Sequence, residues 1–167
     1  MLKEHAKVLK MFAEAGEIVG RKKLQKIIFI AKKFNIPFYE KFDFHFYGPY
    51  SEELTLRVEE LCNAGLLDEV CEEKGNYHQY RYTLTEAGAE FLQLHSLDMP
   101  NVKPLLDSLN EQSSRFLELV STMMFFGDLE KEDIIEKVHT LKAKLRYTND
   151  EIEKAFTYIE TLQKQVN

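Results

Sequence analysis

Between Glu59 and Gly88 the chain spells out, without a break, the end of one helix, two strands around a tight turn, and the start of another helix. Asn63-Ala64-Gly65-Leu66-Leu67 closes a helix at a glycine, the residue best able to adopt the left-handed backbone at a helix end. Asp68 to Glu72 and Tyr80 to Leu84 read as short strands on either side of a polar tip containing Gly75-Asn76. Thr85 is then placed to cap a helix through Phe91, Leu92 and Leu94. A hairpin held between two helices restricts the fold strongly, because its register decides which side chains are buried.

The upstream segments complete the pattern. Val8, Leu9, Phe12 and Ala15 recur at helical spacing from Glu4 to Ala15, and Gly16 stops the run. After Gly20 a second helix carries Leu24, Ile27, Ile28, Ala31 and Phe34, widened by Phe29 and Ile30 until Pro37 ends it. Phe42, Phe44 and Phe46 then alternate with Asp43, His45 and Tyr47, the period of a half-buried strand. A Gly48-Pro49 corner leads to Ser51, a helix cap, and to core positions Leu54, Val58, Leu61 and Cys62. Helix, helix, helix, hairpin, helix is the order of a winged helix-turn-helix, and Glu59 to Leu67 and Tyr82 to Gly88 resemble that superfamily's phrases. The expected fold is therefore mainly α with a small β-hairpin: a winged helix-turn-helix domain over residues 1–98, then a C-terminal helical extension over residues 99–167.

Met99 to Pro104 reads as the linker between them, since two prolines discourage a continuing helix. Three helices are expected beyond it. Leu105, Leu109, Phe116, Val120, Met123 and Met124 line the first, up to Gly127. Ile134, Val138, Leu141 and Leu145 line the second. Thr148 and Glu151 form a T-x-x-E capping box for the third, lined by Ile152, Phe156, Ile159, Leu162 and Val166. The last two read as an antiparallel hairpin. Met123-Met124-Phe125-Phe126 is apolar all round and calls for burial against the winged domain, with a homodimer through the C-terminal helices as the alternative.

Leu24-Gln25-Lys26-Ile27-Ile28-Phe29-Ile30-Ala31, followed by Tyr47-Gly48-Pro49-Tyr50 and the Leu54 helix, resembles the Panacea (SocA-like antitoxin) domain family over roughly the first half of the chain. The whole chain is still more similar to the uncharacterised YwgA-like proteins of Firmicutes. The Panacea resemblance implies a non-enzymatic recognition protein that binds a protein partner as antitoxin, adaptor or regulator. This sequence departs from the family in Tyr50, where a small aliphatic residue is usual, and in its helical tail.

No apolar run reaches the roughly 20 residues a membrane span requires, and the start lacks a signal peptide's apolar core, so a cytoplasmic protein without membrane contact is expected. Cys62 and Cys71 lack metal or C-x-x-C spacing and read as ordinary reduced thiols, and the five histidines form no H-x-x-x-H pair. No metal, cofactor or catalytic residue is expected. Asp43, His45 and Ser51 do not make a nucleophile relay, because Ser51 is better explained as a cap.

Charge decides between partners. The net charge of −6 divides into ten Lys/Arg against four Asp/Glu up to Lys41, three against twelve from Phe42 to Asp98, and nine against twelve beyond. The third helix offers Glu52, Glu53, Glu59 and Glu60 against Arg57, and the wing Glu72 and Glu73 against Lys74. DNA phosphates would be repelled by that surface, so a protein partner is favoured over DNA. Arg21, Lys22, Lys26, His45, Tyr47, Tyr50 and Arg57 are the candidate exposed contact residues.

Overall fold

The computed structural model describes residues 2–95 and 97–166, and among them the chain is mainly helical, with eight α-helices and two small antiparallel sheets. Helix α1 (Leu2–Ala15) buries Val8, Leu9, Met11 and Phe12 and stops at Gly16, whose φ is +85°. Strand β1 (Glu17–Val19) follows, a three-residue element that local periodicity does not reveal. Its strand character comes from pairing: Ile18 lies opposite Tyr82 on the strand Tyr77–Leu84, and both are buried. Helix α2 (Arg21–Lys33) begins after Gly20 and ends before Asn35, which takes a left-handed conformation ahead of Pro37.

Helix α3 (Glu52–Asn63) is capped by Ser51, whose Oγ accepts from the Leu54 amide at 3.1 Å, and it buries Leu54, Val58 and Leu61. Strands β4 (Leu67–Lys74) and β5 (Tyr77–Leu84) form the long hairpin around Gly75-Asn76, and β1 joins the free edge of β5 to give the order β1-β5-β4. Thr85 then caps α4 (Glu86–Leu94) through the Gly88 amide at 3.0 Å. At Gly88 a Cβ would lie 2.1 Å from the Leu66 carbonyl oxygen, so this helix approaches the base of the hairpin as only glycine permits.

The aromatic run departs from a single alternating strand. Strands β2 (Asp43–His45) and β3 (Gly48–Tyr50) make a second, very short hairpin with Phe46 and Tyr47 as its two-residue loop. Gly48, at φ +97°, supplies the positive dihedral that closes it. Phe46 is therefore not on the buried face: it stands 81 % exposed at the tip. Phe44 does point inward, against Phe125 and Phe126.

Residues 103–125 form two helices rather than one: α5 (Lys103–Glu111) and α6 (Ser114–Phe125), separated where Ser113 turns its side chain to cap the Phe116 amide. Helix α6 packs on α2 and β3 and also carries α7 (Lys131–Leu141) and α8 (Asn149–Val166). Of the apolar quartet Met123 is buried, while Met124, Phe125 and Phe126 are half-buried, with Phe125 meeting Phe29. Leu141 ends α7 partly exposed, and a short 3₁₀ turn (Ala143–Leu145) leads to Arg146 in a left-handed conformation. The capping box forms, with Thr148 Oγ1 accepting from the Glu151 amide and Glu151 accepting from the Thr148 amide. Lys131 bridges α7 to Glu153 on α8. The side chain of Val166 lies outside the described residues.

Candidate functional site

The first turn of α2, helix α3, the tip of the short hairpin and the β4–β5 sheet enclose a cleft of about 490 Å³. Each wall has a local cause. Gly20 hands its amide to the Tyr80 carbonyl at 2.7 Å, which pins the start of α2 to the sheet. Arg21 therefore lies across the Tyr80 ring at 3.6 Å and reaches Glu69 at 3.7 Å, while Tyr82 donates to the same carboxylate at 2.6 Å. Burial, reinforced by Glu69, pushes the Tyr82 phenol well above its usual range, so it stays a donor.

On the opposite wall Gln25 locks α2 to the start of α3. Its side chain accepts from the Ser51 amide at 2.8 Å and donates to the Ser51 carbonyl and Thr55 Oγ1, each at 3.0 Å. Tyr50 reaches Thr55 through its hydroxyl at 2.9 Å, and His45 tilts against the Tyr50 ring. Lys22 places its ammonium 4.3 Å from the centre of the Tyr47 ring. Sequence reasoning thus named residues that the fold brings together: Arg21, Lys22, Lys26, Tyr47 and Tyr50 all line the cleft, with His45 behind Tyr50.

Two of the named residues are not exposed contacts. Lys26 is 2 % exposed, at the floor of the cleft, paired with Glu118 of α6 at 3.5 Å. Its position falls within the wide apolar face of α2, where an ammonium is tolerated only beside a carboxylate. Burial lowers its pKa, opposed by Glu118 and aided by the like charges of Lys22 and Lys142. Arg57 lies outside the cleft wall and pairs with Glu40, which is 1 % exposed and holds the guanidinium against the segment after α2.

Behind the short hairpin stands a buried lysine that local sequence does not disclose. Lys142, 5 % exposed, donates to the Phe46 carbonyl at 2.9 Å and pairs with the second oxygen of Glu118 at 3.5 Å. One half-buried carboxylate therefore serves two buried ammoniums and ties α2, α6 and the turn together. A signal existed in Glu118, a lone acid inside the apolar run Leu117, Leu119, Val120, but nothing local names its partners.

Ser51 Oγ is occupied in capping α3. Among the described residues no group of three or more His, Cys, Asp or Glu is placed to hold a metal ion, and no helix is long and apolar enough to cross a membrane. Cys62 and Cys71 are free thiols; burial, with Glu69, Asp68 and Glu59 nearby, pushes Cys62 up to about 11.

No family model matches the chain. Over 164 residues it is 63 % identical to a Bacillus subtilis (strain 168) protein named Uncharacterized protein YwgA, an alignment covering 98 % of this chain and 99 % of that one.

Proposed function

We propose that this chain, which belongs to the same family as the Bacillus subtilis protein YwgA, is a non-enzymatic recognition protein that binds a protein partner through the tip of its short hairpin and the adjoining cleft. The observation that carries this reading is Phe46: a large apolar side chain 81 % exposed at a turn whose backbone is held from behind by a buried lysine. Exposed aromatics on anchored backbone suit recognition, because a ring gives much contact area and little entropy is lost in fixing it. Tyr47 and Lys22 extend the surface to the cleft mouth.

In this reading residues 1–98 are a winged helix-turn-helix domain of Panacea-like type, with α3 in the recognition-helix position and β4–β5 as the wing. Residues 99–167 are the helical extension that braces it from behind through α6. The protein works in the cytoplasm as an antitoxin, adaptor or regulator. The alternative, a winged-helix DNA-binding transcriptional regulator, is disfavoured because Glu52, Glu53, Glu59 and Glu60 are all exposed on α3.

Affinity capture of the tagged chain from its native host, after nuclease treatment and with mass-spectrometric readout, tests the reading. A near-stoichiometric polypeptide that disappears with Phe46→Ala is expected. No such companion, with nuclease-sensitive nucleic acid in the untreated control, would transfer the function to the DNA regulator.

A further inference from the structure

Strand β4 ends its sheet, and among the described residues only β5 pairs with it. The pairing runs from Leu67 opposite Leu84 to Lys74 opposite Tyr77 without a break in register, so no bulge twists the edge away. In an antiparallel ladder every second residue turns its amide and carbonyl outward. Over residues 68–74 these outward groups have no other backbone partner among the described residues. Edge strands are commonly blunted by bulges, prolines or charge, and of these three β4 has only charge.

That charge is of one sign and regularly placed. In Asp68-Glu69-Val70-Cys71-Glu72-Glu73, one face carries Asp68 and Glu72 with Val70 between them, and the other Glu69 and Glu73 with Cys71 between them. Contacts to β5 follow this alternation: Glu72 accepts from Gln79 and Arg81, and Glu69 accepts from Tyr82. Val70 is 45 % exposed and Cys71 is an exposed thiol, so each face has a soft centre between two acids. Arg21 and Arg81 offset Glu69 and Glu72, whereas Asp68 and Glu73 have no ion-pair partner among the described residues. The arrangement rejects a second copy. Two β4 strands paired antiparallel in the register of fullest overlap would set Asp68 opposite Glu73 and Glu69 opposite Glu72, so every acid would meet an acid.

We propose that the free edge of β4 docks an extended basic segment of another polypeptide, patterned as two basic, two apolar and two basic residues, which adds to the sheet as a further strand. Backbone hydrogen bonds along the edge supply affinity, and the alternating side chains supply selection. The basic pairs meet Asp68, Glu69, Glu72 and Glu73, and the apolar pair meets Val70 and Cys71. The same acids that prevent β4 from pairing with itself attract this complement. The assignment does not involve Phe46 and is independent of the reading given to the short hairpin.

The test titrates the peptide Thr-Lys-Lys-Val-Val-Lys-Lys-Thr into the full chain at constant ionic strength, following the backbone amides by NMR. Two controls accompany it: the same peptide with prolines for the valines, and one with glutamates for the lysines. Saturable shifts along residues 68–74, with slowed exchange of the outward amides, are expected with the first peptide. The proline peptide keeps every charge but cannot continue a ladder, so its affinity should be lower by about tenfold or more. Asp68→Lys combined with Glu73→Lys reverses charge at two exposed positions and should weaken binding of the first peptide about tenfold, with the unfolding midpoint measured alongside. If that variant folds poorly, the three peptides on the wild type still decide. Absence of saturable binding at 68–74, equal affinity for the lysine and proline peptides, or equal affinity for the glutamate peptide would each overturn the proposal. So would shifts at 68–74 that grow with protein concentration alone, which would assign the edge to a second copy.

Discussion

The two hairpins share a two-residue connection and differ in almost everything else. The long one pairs Leu67–Lys74 with Tyr77–Leu84 over eight residue pairs and gains a third strand, so its ladder sustains it while its acidic tip stands in water. The short one has three pairs, Asp43 to His45 against Gly48 to Tyr50, too few for an independent hairpin. It is held by what lies behind it: Phe44 against Phe125 and Phe126, and Lys142 on the Phe46 carbonyl. The long hairpin is built by its own strands, the short one by the helical scaffold, and the exposed phenylalanine is on the one that is held. A tip anchored by tertiary contacts can present a side chain in one orientation, which is what recognition demands.

The comparison can be broken most forcefully at the anchor. Glu118→Gln removes the carboxylate between Lys26 and Lys142 and leaves two buried ammoniums facing each other. A loss of about 3–5 kcal/mol is expected in urea unfolding, together with faster amide exchange at the short hairpin. Strain at the base of the long hairpin should have a smaller effect. In Gly88→Ala the new methyl meets the Leu66 carbonyl oxygen, and about 1–3 kcal/mol should be lost, with exchange at the short hairpin unchanged relative to global unfolding.

Acid tests the scaffold behind the short hairpin more gently. The Arg115 side chain, then the Thr148 amide, hold Glu151 down at about 2, and the pair fastens the start of α8 to α6. A depressed carboxylate pKa contributes stability that is complete above the unfolded value of about 4.3 and is lost as pH falls toward 2. The wild-type unfolding midpoint should therefore fall between these pH values by more than that of Arg115→Ala, modestly because the pair is partly exposed. The smallest effect belongs to the long hairpin's tip: Glu73→Ala should change stability by no more than about 0.5 kcal/mol and leave partner capture intact.

Much of the secondary structure was legible because its determinants are local. Ser51, Thr85 and the Thr148–Glu151 box each cap the helix they were assigned, and Gly75-Asn76 forms the long hairpin's turn. The clustering of Arg21, Lys22, Lys26, Tyr47 and Tyr50 was also anticipated, although not that one cleft collects them. What escaped depends on partners far along the chain. β1 is a strand only because β5 accepts it, Lys26 is buried because Glu118 receives it, and Arg57 is drawn half out of solvent by the buried Glu40. Phe46 shows the limit of periodicity: its place in an alternating run assigned it to the core, while the glycine closing the turn two residues later put it in solvent.

Both hairpins carry an exposed aromatic at or beside the tip, Phe46 at 81 % and Tyr77 at 61 %, which allows a matched experiment. The affinity of the captured companion should be measured calorimetrically for the wild type, Phe46→Ala and Tyr77→Ala, after confirming equal unfolding midpoints. Anchored presentation predicts that Phe46→Ala weakens binding by about 30-fold or more and Tyr77→Ala by less than about threefold. A larger loss with Tyr77→Ala than with Phe46→Ala would contradict the account and move the contact face to the long hairpin.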